Sequence, residues 1–163
     1  MLSFPPENKA ATRITNHLCY EVKSLTMAVF QKTVEVKTGK LYDFVNITSA
    51  VQRAVEESKI KNGIAFVNSV HNTAAVIIQE ADATIHKDLI ATLERLVPID
   101  ADYNHDYEGN VNATAHLKSN LLGSSVSVPV ENGKLVLGTW QQLFFIELFE
   151  ARRRRVVVTV VGE

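Results

Sequence analysis

The C-terminal quarter of the sequence constrains the fold most, because it consists almost entirely of strand patterns. Residues 125–130 alternate valine with serine, and an Asn-Gly pair at residues 132–133 is a strong hairpin signal before residues 134–137. Two longer apolar segments follow, at residues 139–149 and 155–161. This end of the chain therefore indicates a β-rich fold.

Strand and helix patterns alternate in the first half of the chain. Residues 27–36 and 41–45 suit two strands, which we expect to pair as a hairpin across an intervening Gly-Lys turn. A capped helix should follow, because Val51, Ala54 and Val55 recur at helical spacing while charged residues lie between them.

The middle of the chain repeats this arrangement. Residues 63–70 and 74–78 are rich in Val, Ile and Phe and predict two strands. Apolar residues at helical spacing over residues 85–96 predict a helix that packs on a sheet. A polar loop at residues 100–112 then leads into a short helix at residues 113–122. The order ββαββα with a β-rich end indicates an α+β protein.

Length and composition favour a single globular domain. The chain has 163 residues, of which 46% are hydrophobic and 21% charged, enough to bury a substantial core. Residues 1–26 are expected to form an N-terminal arm or extension, because residues 1–11 carry two adjacent prolines and few large apolar groups, and residues 27–163 are expected to form the domain.

Charge and hydropathy argue against several classes of partner. A formal net charge of −1 offers no electrostatic reason to bind nucleic acid or an acidic membrane. The most apolar run, residues 143–149, is too short to span a bilayer and is interrupted by Glu147. A lone Cys19 and the absence of a signal-peptide pattern indicate the cytoplasm. Residues 150–154, which include most of a run of four arginines, are expected to form a solvated turn, with anion binding as the alternative.

Three histidines stand beside small, acidic and hydroxyl residues in the central part of the chain. His71 falls at the break between two predicted strands, His105 in the polar loop and His116 on the short helix. Three neutral imidazoles can hold Zn²⁺ and leave a fourth position open for catalysis. Their wide spacing matches no helix-borne metal motif, so surface or core histidines are the alternative.

Several other polar side chains are candidates for the same chemistry. Glu80 follows a predicted strand and can serve as a general base, whereas Asp82 nearby also suits the cap of the next helix. Asp106 can orient an imidazole or simply solvate its loop. Lys118 can pair with a phosphate or lie at the surface.

Short motifs across most of the chain resemble those of the YjbQ family. They occur in the same order and at the same spacing, over about residues 27–163, and the segment before them looks like an extension. The motifs are His71-Asn72-Thr73-Ala74-Ala75, Leu96-Val97-Pro98, Tyr103-Asn104-His105-Asp106, Ala115-His116-Leu117-Lys118, Leu121-Leu122-Gly123, Leu137-Gly138-Thr139-Trp140-Gln141 and Val161-Gly162-Glu163.

The resemblance implies a compact α+β domain with two packed β-sheets and about three helices, which assembles as a homotrimer. It also implies a site for a divalent metal, zinc or magnesium, with His71, His105 and His116 as ligands. Glu80, Asp106, Lys118 and Trp140 match the family as neighbours of that site. We expect catalytic roles for Glu80 and Lys118, and substrate binding by Thr73, Asp106, Trp140 and Gln141. Asn72 and Gln79 stand where many members carry other residues.

Two functions from different classes follow from the resemblance. The first is a small metal-assisted enzyme acting on a phosphorylated or heterocyclic metabolite, because some family members are labelled secondary thiamine-phosphate synthases. The second is a trimeric protein that binds a metal or another ligand without turnover. Assembly is also expected from the apolar strands at residues 128–137 and 143–149, which exceed what one small domain can easily cover.

Overall fold

The computed structural model describes residues 26–163, so nearly all of the expected N-terminal arm lies outside the described part. The elements are, in order, β1 (Ala28–Lys37), β2 (Asp43–Asn46), α1 (Thr48–Ser58), β3 (Gly63–Ser69), β4 (Ala74–Glu80), α2 (Ala83–Leu96), α3 (Asn110–Leu122), β5 (Ser125–Glu131), β6 (Lys134–Leu135), β7 (Gln141–Glu147) and β8 (Arg153–Gly162). The α+β class with two sheets and three helices is confirmed.

The strands form two antiparallel sheets. The larger has the order β1-β8-β3-β5-β6, and the smaller has the order β2-β7-β4. The expected hairpin between β1 and β2 is wrong: β1 pairs with β8 over ten residues, and β2 pairs with β7. The long β8 offers β1 a full-length partner, which the four residues of β2 cannot match. The β5–β6 hairpin is confirmed.

The main core lies between the two sheets and includes the apolar face of α1. Valine and alanine side chains of β3, β5 and β8 meet Leu143 and Phe145 of β7. As predicted, α1 buries Val51, Ala54 and Val55 in this core. Burial of this apolar surface is the principal stabilising term of the fold.

A second, smaller cluster covers the other face of the three-stranded sheet. Phe144 and Ile146 of β7 pack there with Ala115 of α3 and with Leu89 of α2. The α2 helix is confirmed, but its apolar face is only partly covered, since Ile85 and Leu96 remain exposed. The small sheet is thus the middle layer of the molecule.

Of the two segments expected to carry surplus apolar surface, residues 128–137 include one exposed large apolar side chain, Val136. Residues 143–149 are covered within the chain, because β7 is the central strand of the middle layer. Exposed apolar side chains lie instead on the outer face of the five-stranded sheet, where Val29 of β1 is 70% exposed and Ile64 and Phe66 of β3 are also exposed. This face carries no helix layer in the described part of the chain.

No helix among residues 26–163 has the length and apolar character needed to cross a bilayer.

Candidate functional site

His105 and His116 lie side by side. His116 is half-buried on α3, and His105 is exposed in the loop that precedes this helix. Their ring centroids are 5.0 Å apart and the ring planes cross at 80°. Both rings line a cavity of about 400 Å³. The other lining residues are Tyr103, Asn104, Ala113 and Leu117.

This histidine pair has the spacing of two imidazoles that share one tetrahedral ion. With Zn–N bonds of roughly 2.0–2.1 Å, two such rings have centroids about 5 Å apart. The same spacing also fits an edge-to-face aromatic contact. Imidazole nitrogen suits zinc better than magnesium, which prefers oxygen ligands. Two imidazoles are fewer than the three protein ligands that a catalytic zinc site requires.

His71 lies outside this pocket. It lines a separate cavity of about 500 Å³ with residues from the end of β3 and the end of α3. Within residues 26–163 of one chain, no group of three or more His, Cys, Asp or Glu side chains is placed to hold a metal ion. The expectation that the three histidines share one pocket is therefore not met inside a single chain.

The hydrogen bonding of His71 determines which of its ring nitrogens is protonated. The backbone N–H of Arg155 donates to His71 Nε2 at 2.8 Å. Nε2 is therefore an acceptor, and in the neutral ring the proton resides on Nδ1. Burial, followed by the positive charges of Arg154 and Arg155, lowers the pKa of His71, although Glu147 opposes this shift. His71 is thus a neutral ring whose remaining polar atom is a donor, which does not suit metal ligation.

A buried ion pair lies close to His71. Arg154 of β8 donates through Nε and Nη2 to the two carboxylate oxygens of Glu147, each at 2.6 Å, and Glu147 is completely buried. Arg154 also donates to the Thr73 hydroxyl at 3.1 Å. The expected solvated turn is therefore wrong for Arg154, which is only 5% exposed. Thr73, expected to bind substrate, is buried and engaged in this network.

A second polar network holds Lys118. Its ammonium group is fully buried and donates to Tyr42 Oη at 2.6 Å and to Glu94 Oε1 at 2.8 Å, while Tyr42 also hydrogen-bonds Glu94. Burial and the Glu94 carboxylate raise the pKa of Tyr42. Burial opposes ionisation of Glu94, but its bonds from Lys118 and Tyr42 outweigh that effect and lower its pKa. Lys118 thus ties α3 to α2 and to the turn before β2.

The remaining candidate residues do not line either histidine cavity. Glu80 is exposed at the end of β4, and its backbone oxygen lies 3.2 Å from the Nε2 atom of His86. Asp106 is exposed in the loop, Trp140 is 71% exposed, and Gln141 accepts a hydrogen bond from the Gly138 amide. Their expected roles stay predictions. The nearby Asp82 caps α2, since its side chain accepts from the Thr84 and Ile85 amides.

The match to a family model covers nearly the whole described domain. The model, described as UPF0047 protein YjbQ-like, matches residues 32–163. The chain belongs to the YjbQ family. This confirms the resemblance carried by the sequence motifs.

Relatives and solved structures of the YjbQ family support this assignment. A UPF0047 protein of Methanothermobacter thermautotrophicus is 42% identical over 84% of this chain and 95% of its own length. The YugU protein of Bacillus subtilis is 36% identical over 80% of this chain and 98% of its own. A crystal structure of a YjbQ-like protein from Sulfolobus solfataricus has a TM-score of 0.80 at 33% identity, covering 85% of this chain and 100% of that one.

Two buried networks in this member of the YjbQ family are not predicted by its sequence. Glu147 carried a usable signal, because a carboxylate inside an apolar strand requires a buried cationic partner. Its partner Arg154 was hidden in a run of arginines that resembled a surface turn. Tyr42 and Glu94 carried no such signal, since both lie 24 or more residues from Lys118.

We expect acid to destabilise the protein through His71. The folded-state pKa of His71 is lower than its unfolded value near 6.5, so below that pH the unfolded chain binds a proton that the native state resists. This contribution to stability is complete above about pH 6.5 and declines as the pH falls towards the lowered folded-state pKa.

Chemical denaturation from pH 8 to pH 5 measures this effect. The His71→Gln variant should be less stable near pH 8 and should show a smaller loss towards pH 5 than the wild type. If the free energy of unfolding fell equally with pH in both proteins, the lowered pKa of His71 would not be the cause of the acid sensitivity.

Proposed function

We propose that this protein is a metal-dependent enzyme in which His105 and His116 bind a divalent cation, zinc in preference to magnesium. Its substrate is a phosphorylated or heterocyclic metabolite, and the specific reaction proposed is the synthesis of thiamine phosphate. The proposal rests on one observation: the ring centroids of His105 and His116 are 5.0 Å apart, and both rings line a cavity large enough for a small ligand. When bound, the cation would neutralise charge on a departing diphosphate.

The proposal includes a homotrimer in which neighbouring subunits complete the site. Among the described residues of one chain, the proposed ligands are His105 and His116 alone, so a third ligand would come from another copy or from solvent. The uncovered outer face of the five-stranded sheet supports assembly. The register places the exposed Val29 and Ile64 on either side of the half-buried Val161 in one cross-strand row, and an apolar row of this kind favours burial against a partner.

The trimer is tested by its mass in solution. Light scattering at micromolar concentration should give about three times the 18.1 kDa chain mass. The Phe66→Lys variant, which places a charge on the exposed face, should dissociate the assembly. Phe66 is already exposed in one chain, so the fold should tolerate the change. A monomeric wild type would refute this part of the proposal.

Metal binding is tested by titrating Zn²⁺ into chelator-treated protein. His105→Asn and His116→Asn should each weaken binding by more than tenfold, because each removes one of few ligands. His86→Asn is the matched control, since the His86 ring stacks on Phe44 and does not line this cavity. Equal affinity in all four proteins would exclude the His105–His116 pair as the metal site.

A second candidate function is a trimeric protein that binds a metal or small ligand without turnover. The position of Glu80 favours it, because no described carboxylate lines the His105–His116 cavity of the same chain. Glu80→Gln separates the two functions. If Glu80 handles a proton in the assembled trimer, turnover of phosphorylated metabolites should fall by about 10² to 10⁴ while zinc affinity is unchanged. Wild-type protein without turnover of any such metabolite would favour the binding function.

A further inference from the structure

One buried oxygen atom of α3 lacks a hydrogen-bond partner. Asn112 lies in the first turn of this helix and is 4% exposed. Among residues 26–163, its Oδ1 atom is the only buried side-chain oxygen or nitrogen without a hydrogen bond. An unpaired buried acceptor costs free energy, so native proteins contain few such atoms and each one requires an explanation.

Asn112 lies one helical turn before His116. Residues four apart are neighbours on one face of a helix. Helical side chains also point towards the N-terminus, so the His116 ring covers the turn that carries Asn112. The cavity agrees with this direction, because Ala113 of the same turn shares its wall with the His116 ring. The helix itself therefore brings a ring that can donate a hydrogen bond into the neighbourhood of the unpaired oxygen.

The first turn of α3 is a firm support for such a contact. The Asn110 side chain donates to the backbone carbonyls of Ile99 and Ala101 at 2.8 Å and 2.9 Å. These bonds fasten the loop that carries His105 to the first turn of the helix. A residue in this turn is thus held in place by its surroundings, as a side chain that orients a ligand has to be.

An imidazole that binds a cation uses both of its ring nitrogens. One nitrogen of His116 has to present its lone pair to the cation, so the other carries the proton and becomes a donor. Metal-binding histidines almost always give this N–H group to a carboxylate, a carbonyl oxygen or water. Nδ1 is the ring nitrogen nearer the helix backbone. Nδ1–H is therefore the group that suits Asn112, and Nε2 is left for the cavity.

We propose that Asn112 is a positioning residue: when His116 binds a cation, Asn112 Oδ1 accepts the His116 Nδ1–H group and directs Nε2 into the His105–His116 cavity. This inference deepens the proposed function, on which it rests for the cation. The bond selects the tautomer of His116 that can act as a ligand, and it gives the buried oxygen the partner that it lacks in the fold alone.

Zinc titration of three full-length variants tests this role. Asn112→Leu replaces the carboxamide by an apolar group of similar shape and should weaken zinc binding by about tenfold or more. Asn112→Asp keeps an acceptor oxygen and should bind zinc about as well as the wild type. Thr114→Val is the matched control and should also bind normally, because Thr114 is buried in the same helix but its hydroxyl already donates to the Val111 carbonyl at 3.2 Å.

Urea unfolding of the metal-free proteins separates positioning from a structural role. Asn112→Leu should raise the unfolding midpoint, because it removes an unpaired polar atom from a buried position, whereas Thr114→Val should lower the midpoint because an existing hydrogen bond is lost. A lower midpoint for Asn112→Leu would show that the oxygen already has a partner in the fold, such as water, and would overturn the proposal.

NMR of the zinc-loaded wild type identifies the ring nitrogen that carries the proton. The ¹⁵N signals of His116 should place the proton on Nδ1, and a proton on Nε2 would overturn the proposal. Equal zinc affinity of the wild type and Asn112→Leu would also overturn it and leave the proposed function intact. If the wild type binds no zinc, the proposed function fails and the role of Asn112 fails with it.

Discussion

Replacing Arg154 by Met should destabilise the protein by about 3–5 kcal/mol. The substitution keeps much of the side-chain volume but removes both hydrogen bonds to Glu147 and the bond to Thr73. Glu147 would then lose its cationic partner at a completely buried position. The remaining partners of its carboxylate are the Phe149 amide and the Thr38 hydroxyl, which are neutral. Urea unfolding of wild type and variant measures the loss.

Two further variants separate charge from packing. Arg153→Met, at an exposed neighbouring position of the same strand, should change stability by less than about 0.5 kcal/mol. Combining Arg154→Met with Glu147→Gln should recover part of the lost stability, because no unpaired charge then remains buried. An Arg154→Met protein as stable as the wild type would show that the pair contributes nothing to the fold.

Local patterns predicted the individual elements well. The α1 positions Val51, Ala54 and Val55 are buried as their spacing required, and Asp82 caps α2. The Asn132-Gly133 turn forms the β5–β6 hairpin, with both residues at positive φ. Each of these features depends on residues within a few positions of one another, where side-chain period and turn chemistry determine the conformation.

Strand pairing was predicted less well, because it depends on distant partners. The neighbouring β1 and β2 belong to different sheets, and β1 pairs with β8 more than a hundred residues later. Proximity in sequence favoured a hairpin between β1 and β2, but β1 pairs with β8 because β8 matches it in length. The same limitation affected the choice of the exposed face, since β7 is buried only because β2 and β4 flank it between two layers.

The candidate site was predicted in part for a related reason. Residue chemistry identified His105 and His116, which the loop and α3 bring together although 11 positions separate them. Residue chemistry also grouped His71 with them, because the presence of an imidazole does not show which of its ring nitrogens already accepts a hydrogen bond. The amide of Arg155 occupies His71 Nε2 from across the fold. No periodicity in the sequence around His71 reports that contact.

Replacing Lys118 by Met should lower stability by about 2–3 kcal/mol, since a buried ammonium group and two of its hydrogen bonds are lost. The loss should be smaller than for Arg154→Met, because water can reach Glu94, whose side chain is 32% exposed. A catalytic lysine would behave differently: its replacement would abolish turnover and leave stability nearly unchanged. Thermal or urea unfolding, together with a turnover assay on phosphorylated metabolites, distinguishes these roles.

A double-mutant cycle with Glu94 makes the structural role of Lys118 measurable. Glu94→Gln should destabilise the protein because Lys118 would remain buried beside neutral partners, and the double variant should lose less than the sum of the two single losses. The coupling should be about 0.5–3 kcal/mol, the range found for residues in one hydrogen-bond or salt-bridge network. Additive losses would mean that Lys118 and Glu94 act independently. In that case the predicted catalytic role of Lys118 would remain open. Strong coupling would instead show that the Lys118 ammonium group holds α3, and with it His116, against α2.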